Sequence, residues 1–127
     1  MTVNQILIGD AANVLADFPA GSVACIITSP PYYNAVSYEG SKPPWASFGA
    51  YIDGTMPVIR QCDRVLRPNG KLCLNTMAVP ISQKAFKQDT RRIENIPADI
   101  YHAIISGTDL RFYDEYVWLK RCQRGGR

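Results

Sequence analysis

Apolar residues in this chain fall into short runs whose period changes along its length. Ile6-Leu7-Ile8 closes a run from Gln5 to Ile8 that predicts a short strand, and Asp10 stands where a helix from Ala11 to about Asp17 needs an acceptor for its free N–H groups. Pro19-Ala20-Gly21 predicts a turn, and the β-branched run Val23 to Thr28 predicts a second, buried strand. Ile52, Met56, Ile59, Cys62 and Leu66 then recur at helical spacing, which predicts one buried helix face. Pro57 interrupts that pattern unless Thr55 caps the helix, Pro57 lies in its first turn, and Tyr51 to Gly54 forms a separate turn. Pro68-Asn69-Gly70 ends the helix, and Lys71 to Thr76 alternates as a third strand. Pro97 opens another helix, through about Ser106, with Gly107 at its end. Two β-prone runs around Tyr113-Asp114-Glu115, within Leu110 to Lys120, predict a hairpin.

Two connections stand apart. Tyr33 to Gly49 is rich in Gly, Pro and Ser, includes Tyr38, Pro43-Pro44 and Trp45, and is long enough to predict a mobile binding element. Ser82 to Asn95 is polar and charged and reads as a flexible excursion. The alternation of strands and helices predicts an α/β fold, a sheet with flanking helices. A chain of 127 residues buries one apolar core and not two. No apolar run approaches the roughly 20 residues of a membrane span, and no basic-then-apolar leader opens the chain. Cys25, Cys62, Cys73 and Cys122 are scattered, three of them in apolar segments, so buried reduced thiols in a cytoplasmic protein are expected. A net charge of +3 permits a nucleic-acid partner without demanding one. Arg91, Arg92, Lys120, Arg121, Arg124 and Arg127 are the candidate phosphate contacts, or else a solvated surface.

The candidate chemistry lies at Thr28-Ser29-Pro30-Pro31-Tyr32-Tyr33, directly after the second strand. Two prolines fix two φ angles and remove two N–H donors, so the chain leaves the sheet as a rigid loop rich in acceptors. Such a loop offers a hydroxyl, backbone carbonyls and an aromatic face to a flat, amino-bearing ring. Alternatives stand beside this reading: Ser29 as a turn residue, Tyr32 as core, Asp10 as a helix cap only, and Pro30-Pro31-Tyr32-Tyr33 as an extended WW-type ligand. The buried strand immediately upstream argues against the last. His102, among Tyr101, Ala103 and Ile104, reads as structural.

The Thr-Ser-Pro-Pro-Tyr run resembles the catalytic motif of the S-adenosylmethionine-dependent DNA amino-methyltransferases, which act on cytosine N4 or adenine N6. Ile6-Leu7-Ile8-Gly9-Asp10 with Val14-Leu15 resembles the strand and acidic turn before that motif. Tyr51-Ile52 and the run from Arg64 to Leu72 resemble the family's next helix, turn and strand, and Trp118-Leu119-Lys120 its closing hairpin. The resemblance implies a partial Rossmann-like methyltransferase fold and a catalytic loop of Ser29, Pro30, Pro31 and Tyr32. Ser29 Oγ and the Pro30 carbonyl would accept the amino hydrogens of a flipped base, with Tyr32 stacked on it. It further implies that Asp10 meets the cofactor adenine, that Asn75 is a second cofactor contact, and that Tyr33 or Tyr38 lines the base pocket. Ser before the two prolines leans towards cytosine.

The family's target-recognition region and its glycine-rich cofactor loop have no counterpart in residues 1–127, so the chain reads as the catalytic portion of a longer enzyme. In the family fold two strands from the absent segment separate the strand before Asp10 from the strand before Ser29. The expectation is therefore a rearranged sheet, a homo-oligomer, or a second chain that supplies that segment. DNA is the implied partner. The competing reading is a non-catalytic remnant or half-subunit that acts as an interaction module.

Overall fold

The computed structural model describes residues 4–33, 45–81 and 92–119. Helix α1 (Ala11–Ala16) begins where expected, because the Asp10 carboxylate accepts from the Asn13 N–H at 3.1 Å. Its other end is held from a distance. Arg64 donates to the carbonyls of Leu15 (2.7 Å), Ala16 (3.3 Å) and Phe18 (2.9 Å), placing a cation against the carbonyl end of the helix. Gly21, at φ 66°, makes the turn into strand β1 (Val23–Thr28).

Strand β1 pairs in parallel with β2 (Leu66–Leu74), and the long helix α2 (Phe48–Val65) lies between them in sequence. This is a β-α-β unit. Cys25 to Thr28 pair in step with Lys71 to Leu74, whereas Val23 pairs with Leu66. Residues 67–70 therefore bulge out of the ladder, and Pro68-Asn69-Gly70, expected as the helix stop, forms that bulge inside the strand. Asn69 sits at φ 64°, and a Cβ on Gly70 would meet the Arg67 carbonyl at 2.9 Å.

Helix α2 starts earlier than its spacing predicts. Ser47, not Thr55, caps it, accepting from the Ala50 N–H at 3.1 Å, and Pro57 lies inside the helix. The turns before Pro57 stay helical because Phe48, Tyr51 and Ile52 pack into the core and tie the first turn down. Thr55 instead donates its hydroxyl to the Tyr51 carbonyl at 2.8 Å. The buried face is Tyr51, Met56, Ile59, Cys62 and Val65.

A short antiparallel pair follows, β3 (Val79–Ile81) with β4 (Arg92–Glu94), so the last part of the polar segment from Ser82 to Asn95 is a strand. Helix α3 (Ile96–Gly107) opens with Pro97 in its first turn and packs on α2. Tyr33, Tyr51, Val79, Ile96 and Ile100 form the core, with Trp45, Phe48, Leu74 and Ile104 packed around it. None of the described helices is long and apolar enough to cross a membrane.

Three expectations are corrected. Residues 5–8 form no strand, and Ile6 and Ile8 are 93% and 96% exposed. Strand β1 is not buried: among the described residues only β2 pairs with it, and Ile27 remains 80% exposed. Residues 110–119 form no hairpin and are exposed from Arg111 to Leu119, because no described strand pairs with them. Among the described residues the sheet thus leaves the free edge of β1 unpaired, and residues 5–8 do not rearrange onto it. The thiols divide as the sheet does, with Cys62 buried in α2 and Cys25 and Cys73 exposed on β1 and β2. Cys122, Arg91, Lys120, Arg121, Arg124 and Arg127 lie outside the described residues.

Candidate active site

Parallel pairing carries the ends of β1 and β2 to the same side of the sheet. Thr28 lies beside Leu74, and the Asn75 N–H donates to the Thr28 carbonyl at 2.9 Å, which extends the ladder by one residue. Pro30 and Pro31 have no N–H to continue it, so the chain turns away. Ser29 and Asn75 are left side by side at the mouth of the strand pair, the usual place for chemistry in an open α/β sheet.

Tyr32 folds back onto them. Its Oη lies 2.9 Å from Ser29 Oγ, and Asn75 Nδ2 donates to Tyr32 Oη at 2.9 Å and to Ser29 Oγ at 3.3 Å. Ser29 Oγ also reaches the Asn75 carbonyl, at 3.4 Å. A single proton arrangement satisfies all of these: Ser29 donates to the Asn75 carbonyl, Tyr32 donates to Ser29 Oγ, and the Asn75 amide donates to Tyr32 Oη. Ser29 Oγ is then an oriented acceptor, in contact with solvent and held from two sides.

The structure thus brings Ser29, Tyr32 and Asn75 together, 46 residues of chain separating Ser29 from Asn75. Pro30 and Pro31 form the bridge, closed by a bond from the Tyr33 N–H to the Pro31 carbonyl at 3.0 Å. Tyr33 is placed elsewhere than expected. Only 3% exposed, it turns its ring into the core at 5.4 Å from Phe48 and 5.7 Å from Tyr51, since a large ring next to the first turn of α2 gains more from burial than from facing water. Tyr38 lies outside the described residues.

Asp10 and Asn75 do not share a location. Asn75 contacts the loop of Ser29 to Tyr32, whereas Asp10 sits between Gly9 and Ala11, two of the residues lining a concave space of about 310 Å³. That space is apolar, walled by Leu7, Val14, Leu15, Ile26, Ile27 and Val58, and no residue lining it bears a charge at neutral pH. One Asp10 oxygen caps α1 and the residue is exposed, which leaves its second oxygen able to accept a donor from a bound molecule.

Two site-related residues escape a reading by periodicity, Phe48 and Tyr51. With Ile52 they stand at i, i+3 and i+4, a helical face broken from the rest of α2 by Gly54 and Pro57. Ser47, three residues before Ala50, was the available signal of the true helix start. Tyr51 is wholly buried, and its hydroxyl makes no well-formed hydrogen bond among the described residues. Burial pushes its pKa up, opposed by the nearby Thr55 side chain and the Tyr33 backbone.

The chain is similar to known proteins. The 70 residues that match the type II methyltransferase M.BglII of Bacillus subtilis are 37% identical, covering 55% of this chain and 18% of that protein. The DNA adenine methyltransferase YhdJ of Escherichia coli K12 is 36% identical over 67 residues, 53% of this chain and 22% of that protein. Among solved structures, TTHA0409 of Thermus thermophilus, named as a candidate DNA modification methylase and complexed with S-adenosyl-L-methionine, superposes with a TM-score of 0.62 at 28% identity. The match covers 78% of this chain and 37% of that one. PvuII DNA methyltransferase, cytosine-N4-specific, gives a TM-score of 0.59 at 18% identity over 80% of this chain and 33% of that one, a likeness of fold alone. The chain spans less than a quarter of the length of the curated relatives it matches. Residues 23–125 match the family described as DNA methylase, so the strand pair and the loop of Ser29 to Tyr32 are those of a methyltransferase fold, and the chain belongs to the DNA methylase family.

Proposed function

We propose that this chain is the catalytic portion of a DNA methyltransferase that methylates the exocyclic amino group of a flipped base, cytosine N4 in preference to adenine N6. The observation that carries this reading is the oriented Ser29 Oγ, fixed by Tyr32 and Asn75 at the mouth of two parallel strands. An exocyclic amine is a weak nucleophile while its lone pair is delocalised into the ring. Ser29 Oγ and the Pro30 carbonyl accept its two hydrogens and draw the nitrogen towards tetrahedral geometry. The incoming amino group takes the place of the Tyr32 hydroxyl at Ser29 Oγ, and the freed Tyr32 ring stacks on the base. Asn75 keeps Ser29 oriented through this exchange. Acceleration then comes from positioning and from acceptors aimed at the charge that develops on nitrogen. S-adenosylmethionine would supply an electrophilic methyl group to this lone pair, its sulfonium C–S bond breaking as the new C–N bond forms, and the methylated nitrogen would then release one proton to solvent.

The residues present fit the adenosine end of that cofactor. Asp10 offers a free carboxylate oxygen to an amino group, beside an apolar wall suited to a flat ring. The uncharged lining does not suit the charged amino-acid end, and this supports a further segment, from a second chain or a longer one, that completes the site along the open edge of β1. A homo-oligomer through the same edge is the alternative assembly. DNA is the proposed partner and the cytoplasm the proposed location. Ser29→Ala tests the catalytic role: labelled methyl transfer to DNA should disappear from a folded variant. Transfer at the unaltered rate would refute it.

A further inference from the structure

We propose that Tyr51 and Phe48, in the first turn of α2, are positioning residues for the Ser29, Tyr32 and Asn75 cluster and act on it through Tyr33. The catalytic consequence rests on the function proposed above; the geometry does not. Tyr33 sits at φ 47°, in the left-handed region that a bulky side chain rarely enters. Such a conformation persists only where the surroundings hold it. Its ring is seated in the core beside Val79, Ile96 and Ile100, and its two edge-on ring contacts come from one turn of α2. Phe48 meets the Tyr33 ring edge-on at 5.4 Å and 85°, and Tyr51 meets it at 5.7 Å and 65°.

Tyr51 is the centre of this socket, since it also packs against Trp45 at 5.6 Å and Phe48 at 5.8 Å and is itself fully buried. The chain between the socket and Ser29 has little freedom left. Prolines fix φ at positions 30 and 31, and the Tyr33 N–H is bonded to the Pro31 carbonyl. Where the Tyr33 ring is seated therefore decides where the Tyr32 hydroxyl falls relative to Ser29 and Asn75. The work is done by the Tyr51 ring and not by its hydroxyl, which has no well-formed hydrogen bond among the described residues.

The Asn75 side-chain amide reports the cluster directly, because its hydrogens are bonded to Tyr32 and Ser29. In the full chain labelled with nitrogen-15, Tyr51→Phe should leave the Asn75 amide resonances and their solvent protection unchanged. Tyr51→Leu should move both protons towards free-amide positions and abolish the protection. Ile59→Ala, a truncation of an equally buried residue on the same helix, should leave them in place. Should Tyr51→Leu fail to fold, Phe48→Leu, at a half-buried site, should give the same displacement. Unmoved Asn75 signals in a folded Leu variant, or an equal displacement in Ile59→Ala, would overturn the proposal. In a complex that transfers methyl groups, Tyr51→Leu should lower kcat on the order of 100-fold while KM for DNA stays within about threefold. Ser29→Ala addresses the function alone, so failure of that reading leaves the Asn75 resonances to decide this one.

Discussion

Replacing Gly54 with alanine should destabilise the protein, against the sign that helix propensity alone dictates. Gly54 lies within α2, where alanine in place of glycine is worth about 1 kcal/mol to an unhindered helix. This site is hindered. A Cβ on Gly54 would lie 2.5 Å from Trp45 Cη2 and closer still to Cζ3, so the Trp45 ring must leave its place against the helix. Overpacking of this kind costs about 1–3 kcal/mol, and loss of the edge-on Trp45–Tyr51 pair adds roughly 0.5–1.5 kcal/mol. Subtracting the propensity gain leaves a net loss of about 1–3 kcal/mol. Urea unfolding followed by fluorescence should show the midpoint fall by about 1 M for a typical slope. Gly49→Ala is the control, because its Cβ would find only Ser47 Oγ, at 3.8 Å. It should be neutral or slightly stabilising. A Gly54→Ala variant as stable as Gly49→Ala would refute the packing of Trp45 on this helix.

Other substitutions separate roles that share a residue. Asp10→Asn keeps a good helix cap and should hold the stability of the parent, while weakening binding of S-adenosylmethionine in calorimetry. Asp10→Ala should lose the cap as well, at about 0.5–2 kcal/mol in chemical denaturation. Burial raises the Cys62 thiol above its ordinary range, so its reactive thiolate forms only at higher pH. A thiol reagent near pH 8, read by peptide mass spectrometry, should therefore label Cys25 and Cys73 and spare Cys62. The Tyr51 phenol is raised by burial, so the protonated form is the one the fold favours. The stability it contributes is fully present below the ordinary tyrosine value of about 10 and is lost as pH climbs through the higher folded value. Tyr51→Phe should remove that part of the alkaline loss and be at least as stable as the parent at pH 7, since it deletes a buried hydroxyl that has no well-formed hydrogen bond among the described residues. Thermal melts between neutral and alkaline pH would show both.

Local chemistry was readable along the chain, and partnership was not. The Asp10 cap, the turn at Gly21, β1 and the Pro97 start of α3 were all legible because each depends on a few neighbouring residues. Residues 5–8 and 110–119 carry the same apolar signal as β1, yet a strand exists only where another chain segment bonds to it, and β1 has β2. The start of α2 was hidden for a related reason. Gly54 and Pro57 look like breaks in a helix, and they are tolerated because Trp45 lies over the first and the Phe48, Tyr51 and Ile52 face anchors the turns before the second.

The candidate site shows the same division. Ser29 to Tyr32 was legible as a rigid loop because prolines act on their own backbone. Asn75 could be found only as a polar residue after a strand, and its bonds to Ser29 and Tyr32 follow from the parallel register of β1 with β2. That register is set within four residues of the site, and it survives the bulge at residues 67–70 because Cys25 to Thr28 pair in step with Lys71 to Leu74. A slip of one residue would turn the side chains of β2 to the opposite face and carry Asn75 away from Ser29. The bulge is the device that prevents it: it absorbs the mismatch between the start of β2 and β1 upstream, so that the last four pairs, which position Ser29 beside Asn75, stay in register.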